Sequence, residues 1–130
     1  MSSIKFILVS GCCLGALSVI LGAFAAHGLK STISTSMLDV FQTGVRYQAF
    51  HALALLFVGL ISLATGSPPS PLFSWVAILF LVGVALFSGS LYSLALGAPR
   101  WFGAITPLGG MSFIGGWLLL TYSIATSKLT

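Results

Sequence analysis

The stretch LFSWVAILFLVGVALFSGSLYSLAL, residues 72–96, runs for 25 residues without a charge. A helix needs roughly 20 apolar residues to cross the hydrocarbon core of a bilayer, so a segment of this length reads as a membrane span. Working outward, the same criterion finds three more spans, Phe6 to Ala26, Tyr47 to Thr65 and Phe102 to Thr126, all free of fixed charge. Each central Leu, Ile, Phe or Val contributes about −0.3 to −0.6 kcal/mol to insertion, which favours entry of all four. A backbone in lipid must satisfy its own hydrogen bonds, so segments this long should be helices. The short alternating strands of a membrane barrel have no counterpart here. The expected fold is an all-α integral membrane protein: an antiparallel bundle of four transmembrane helices in one membrane domain, residues 1–130.

The rest of the composition agrees. Of 130 residues, 58% are hydrophobic and 5% charged, with five basic and one acidic side chain and a net charge of +4. Soluble domains carry about 25% charged residues. These proportions exclude a soluble enzyme and a disordered chain. Nucleic-acid binding needs Lys and Arg clustered on one face; here the cations are scattered, so no nucleic-acid partner is expected.

The connections set the topology. Gly66-Ser67-Pro68-Pro69-Ser70-Pro71 stops one helix and starts the next, with Ser70 as N-cap and Pro71 at the first helical position. Gly97-Ala98-Pro99-Arg100 is a second tight turn. Short loops force sequential helices to run up, down, up, down. The first connection is longer. Lys30 to Gln42 is polar, and Ser36-Met37-Leu38-Asp39 has capping-box spacing. This predicts a short interfacial helical segment that begins near Met37 and leads into the second span, with Leu38, Val40 and Phe41 dipping into lipid or the bundle.

At the N-terminus, Lys5, an apolar run and Ala23-Phe24-Ala25 have the layout of a signal peptide. The run is long for one and three spans follow it, so the first helix is expected to stay. Val9-Ser10-Gly11-Cys12 also has the form of a lipoprotein cleavage box, but the apolar stretch before it is too short. Both termini fall on one side with Lys5 and Lys128, whereas Lys30, Arg46 and Arg100 fall on the other. The positive-inside rule leans, three against two, toward loops one and three in the cytoplasm.

Lipid tails are as apolar as leucine, so helices associate through close packing and hydrogen bonds. Gly11, Gly15, Ser18 and Gly22 share one face of the first span, and Ala85, Gly89, Ser93 and Gly97 repeat every four residues in the third. Gly109-Gly110, Ser112 and Gly115-Gly116 lie in the fourth. All three sets read as packing surfaces within the bundle. Pro107, one turn into the fourth span, reads as a tolerated kink. Cys12 and Cys13 point about 100° apart and read as small hydrophobes.

One polar constellation stands out. His27 closes the first span, and Gln42, Arg46, Tyr47, Gln48 and His51 open the second. Ionisable residues at membrane depth are costly and suggest function. From a span starting at Tyr47, His51 should sit roughly 6 Å inside the membrane. Arg46 can snorkel, pair with Asp39 or cap helix carbonyls; Tyr47 suits an interfacial belt; Gln48 can bridge helices. His51 needs a partner, for which a backbone carbonyl or Gln48 suffices. A haem or metal site through His27 and His51 is an alternative, as is a small permease or channel. An acid-driven exporter would need a carboxylate within a span, and Asp39, the one acid, lies outside.

The residues Gly22-Ala23-Phe24-Ala25-Ala26-His27-Gly28-Leu29, Phe41-Gln42-Thr43-Gly44-Val45-Arg46-Tyr47-Gln48, His51-Ala52-Leu53-Ala54 and Ile105-Thr106-Pro107-Leu108-Gly109-Gly110 resemble the YgdD/YwdK family (domain of unknown function 423), related to a eukaryotic transmembrane family. The resemblance covers essentially the whole chain. It implies a four-span protein of the bacterial inner membrane, without an established activity or catalytic residues. The family pattern often carries Glu where Gln42 stands, which removes a possible partner for Arg46. The resulting expectation is a non-enzymatic membrane protein without a cofactor, structural or accessory to a membrane assembly. Its partners are the bilayer and a second copy or another membrane protein.

Overall fold

The computed structural model describes residues 2–66 and 68–128. Ser67 of the proline turn, with Met1, Leu129 and Thr130, lies outside the described residues. Four helices are long and apolar enough to cross a membrane: α1 (Ser3–Leu29), α2 (Thr35–Ala64), α3 (Pro71–Ala95) and α4 (Arg100–Thr126). No strand occurs among the described residues.

The helix ends follow from local chemistry. Ser2, Ser34 and Ser70 cap α1, α2 and α3, each accepting a hydrogen bond from a first-turn amide, and Pro71 occupies the first turn of α3. The cap of α2 is Ser34, two residues before the capping box that the sequence suggests. Once capped there, α2 runs unbroken from Thr35 through Ala64. It therefore starts well before the apolar run at Tyr47, and the expected interfacial segment is simply its first turns. There Phe41 is fully buried, and Leu38 and Val40 pack beside it against Ala25 and Leu29 of α1 and Ala95 of α3.

At the other ends, Gly66 (φ 90°) and Gly97 (φ 100°) take the left-handed conformation that terminates a helix. Around Gly97 the amide of Ala98 bonds the Ser93 carbonyl at 2.9 Å and that of Gly97 bonds Leu94 at 3.2 Å, a Schellman ending. Pro107 makes no mid-helix kink. A 3₁₀ turn over Arg100–Ala104 precedes the α-helical part of α4, Thr106–Thr126, and Pro107 sits in that helix's first turn, where a missing amide costs nothing.

Glycine decides how closely the helices approach. On the α1–α2 seam, a Cβ on Gly11 would come within 2.9 Å of Leu56, and one on Gly59 within 2.5 Å of Leu8. On the α3–α4 seam the exchange is reciprocal. Phe113 of α4 covers Gly83, Phe80 of α3 covers Gly116, and Gly109 lies so close to the α3 backbone that a Cβ would stand 2.3 Å from the Phe87 amide nitrogen. That stretch of α3, Val84–Ser88, is a π-helical turn, a wider coil that carries an extra residue. The small residues of α1 and α4 thus serve packing within the bundle. The four-residue repeat of α3 does not: the position of a Gly89 Cβ is open, and Ala85, Gly89 and Ser93 line an outward groove with Phe102 and Ile105. Periodicity marks a face but not what covers it.

This contrast is testable. Gly109→Ala should lower stability in detergent by about 1–3 kcal/mol, because the obstacle is backbone and cannot yield as a side chain would. Gly89→Ala should leave stability unchanged or raise it by up to about 1 kcal/mol through helix propensity. Thermal unfolding in a mild detergent distinguishes the two.

Candidate functional site

The polar residues of the second span divide into an inner and an outer group. Gln48 and His51 face inward and are 1% and 2% exposed, whereas Arg46 and Tyr47 face outward. Gln42 is half-buried, and His27 is exposed on the π-helical turn that ends α1.

Both inner residues lie further from the start of their helix than a span beginning at Tyr47 would put them. Because α2 begins at Thr35, His51 lies roughly 24 Å along its axis, from 1.5 Å per residue. The side chain of Gln48, one turn away, reaches Leu14 in the middle of α1. Gln48 and His51 therefore sit inside the bundle, midway along α2 and beside the middle of α1. From Leu14 to His27 along α1 is roughly 20 Å, so the structure keeps the two histidines apart.

Gln48 joins three helices. Its Nε2 donates to the Leu14 carbonyl of α1 at 3.0 Å, and its Oε1 accepts from the Tyr92 hydroxyl of α3 at 2.7 Å. One turn earlier on α2, the Gly44 carbonyl accepts from Ser88 of the α3 π-turn at 2.7 Å. A glycine is required there, since a Cβ would meet the Tyr92 ring at 2.7 Å.

His51 joins α2 to α4. Its Nδ1 lies 2.8 Å from the Tyr47 carbonyl, and its Nε2 lies 3.1 Å from Nε1 of Trp117. A carbonyl can only accept and an indole N–H can only donate. The pair of bonds therefore assigns the proton to Nδ1 and leaves Nε2 as acceptor: a neutral ring with both nitrogens engaged. Phe113 stacks on the imidazole at 3.6 Å and 9°, and Phe80 and Phe50 meet it edge-on at 5.2 and 5.3 Å. A metal could bind His51 only by displacing Trp117 or Tyr47 within this aromatic shell.

Further links fasten α3 to α4, where Ser112 donates to the Leu79 carbonyl at 2.7 Å and the hydroxyls of Ser90 and Thr106 meet at 2.6 Å. Outside, the guanidinium of Arg46 donates to the Thr43 hydroxyl at 2.9 Å, and Thr43 donates to the Asp39 carbonyl at 2.8 Å. Arg46 thus reaches Asp39 through Thr43 and a backbone carbonyl, and not as an ion pair. Tyr47 is 44% exposed and rests on Phe87 at 4.4 Å.

Sequence reasoning missed Tyr92 and Trp117. Both are aromatic residues with a polar handle that needs a partner when buried, so the signal existed, but it named no partner. If the His51–Trp117 bond holds α2 to α4, a double-mutant cycle of His51→Phe and Trp117→Phe should show a coupling of about 0.6 kcal/mol, the average of interhelical bonds measured in this way, and up to about 1.7 kcal/mol. Unfolding of the four proteins in mixed micelles measures it.

Comparison with known proteins places these residues among relatives. A family model described as "Protein of unknown function (DUF423)" matches residues 21–110. The UPF0382 membrane protein of Staphylococcus haemolyticus is 44% identical over 119 residues, 92% of this chain and 94% of its own length. That of Staphylococcus saprophyticus is 43% identical over 125 residues, 96% of this chain and 99% of its own. The UPF0382 inner membrane protein YgdD of Escherichia coli is 43% identical over 116 residues, 89% of this chain and 86% of its own. No solved structure matches the chain significantly.

Proposed function

The chain belongs to the DUF423 family, and from that premise we propose that it is a non-enzymatic, multi-pass protein of the bacterial inner membrane, structural or accessory to a larger membrane assembly. In this reading residues 1–130 act as one membrane domain, and the polar residues of α2 serve cohesion. The observation that carries it is how the interior polar atoms are used. Every buried side-chain nitrogen and oxygen among the described residues has a hydrogen-bond partner, and those of Gln48, His51, Tyr92 and Trp117 link one helix to another. In this reading these groups serve to hold the helices together.

The placement in the inner membrane draws on the name of the Escherichia coli relative. The cytoplasmic side is assigned to loops one and three, by Lys30, Arg46 and Arg100 against Lys5 and Lys128. A permease or channel would need a hydrated path past His51, where Phe50, Phe80 and Phe113 pack around the ring. A haem or metal binder using His27 and His51 would have to bring together groups that stand apart.

Purified at native abundance in a mild detergent, the 13.5 kDa chain should elute colourless, in a complex with a second copy or another membrane protein at constant stoichiometry. A monomer with a haem absorption band or stoichiometric metal would overturn this reading. So would solute flux through proteoliposomes that vanishes when Trp117 is replaced.

A further inference from the structure

Arg46 is an outward-facing cation within the apolar part of the bundle. Its neighbour Val45 packs against Gly22 of α1, and the charge-free run of α1 continues to Ala26, so the Arg46 backbone lies roughly 6 Å below the end of that run. The side chain turns back toward the membrane surface. One guanidinium nitrogen bonds Thr43, a turn nearer the start of α2, in the manner of an arginine snorkelling to the headgroup boundary. Thr43 holds the guanidinium by one of its five N–H donors, and among the described residues no carboxylate pairs with it. Asp39 is seven residues earlier, roughly 10 Å along the axis, and Lys30 and Arg100 add positive charge at the same end.

Beneath this cation runs a groove of about 340 Å³ lined by Arg46, Tyr47 and Phe50. Its walls are packed on neighbouring helices: Tyr47 rests on Phe87 at 4.4 Å and Phe50 on Trp117 at 5.7 Å. Phe50 is one turn further along α2 than Arg46, so the groove leads from the guanidinium toward the middle of that helix. A charged donor above and an aromatic channel below match the two halves of one class of molecule. We propose that this face binds an anionic phospholipid, with its phosphate on Arg46 and one acyl chain along Tyr47 and Phe50. The charge selects the occupant. An anionic headgroup supplies a counter-ion that none of the described residues gives Arg46, and a zwitterionic lipid carries its own ammonium beside the phosphate.

Native mass spectrometry of the full chain, titrated with phosphatidylglycerol or with phosphatidylcholine of the same acyl chains, tests this. The wild type should take its first phosphatidylglycerol about fivefold more tightly than phosphatidylcholine, the increment of one cation near a membrane surface. Arg46→Gln should abolish the preference, Arg46→Lys should keep part of it, and Arg100→Gln should leave it unchanged. Equal binding of both lipids by the wild type would overturn the proposal. It fails equally if Arg100→Gln is as damaging as Arg46→Gln, or if inorganic phosphate competes as well as added lipid. If Arg46→Gln keeps the wild-type preference, the lipid assignment falls and the cation is left for an acidic residue of a partner helix. None of these outcomes depends on whether the chain belongs to an assembly.

Discussion

A polar atom at the centre of a bilayer has no water to bond if its protein partner is lost. That constraint organises this bundle. Gln48 and His51 sit midway along α2, and each of their hydrogen-bonding atoms is matched by a group on their own helix or on a neighbour: Leu14 on α1, Tyr92 on α3, Trp117 on α4 and the Tyr47 carbonyl on α2 itself. One helix thereby fixes the rotation of the other three. Leucine packing alone would tolerate many rotations in lipid, because a lipid tail and a leucine offer much the same surface.

The bonds require close approach, which glycine permits. Gly11 and Gly59 bring α1 onto α2, Gly44 admits Tyr92 beside Gln48, and Gly83, Gly109 and Gly116 interlock α3 with α4. The π-turn of α3 belongs to the same arrangement. It presents Ser88 to the Gly44 carbonyl and the Phe87 backbone to Gly109. Hydrogen bonding and packing therefore act at the same levels of the bundle.

The two histidines illustrate how burial sets chemistry. His27 is exposed near the end of α1, whereas His51 is enclosed by Phe50, Phe80 and Phe113 with both nitrogens occupied. An identical side chain is a surface group in one place and an interhelical clamp in the other. Arg46, on the outer side of the helix that carries His51, is exposed and bonded to Thr43 of its own helix.

Much of the architecture was legible without coordinates, because the bilayer imposes simple length and composition rules. Four charge-free runs, the Ser70-Pro71 start and the Gly97 turn define four helices and their alternation. The start of α2 was less legible, since its first turns are polar and a hydropathy reading begins at Tyr47, although the capping residues pointed to an earlier origin. What only the tertiary structure decided was pairing. The sequence shows that Gln48 and His51 need partners, but that Tyr92 and Trp117 supply them depends on rotation and depth, and these are set by glycine contacts between segments far apart in the chain. For the same reason the Ala85, Gly89 and Ser93 stripe of α3 looks like the small-residue face of α1 in sequence and yet lines an outward groove: a periodic stripe fixes a direction relative to its own helix axis, and only the assembled bundle gives that direction a neighbour.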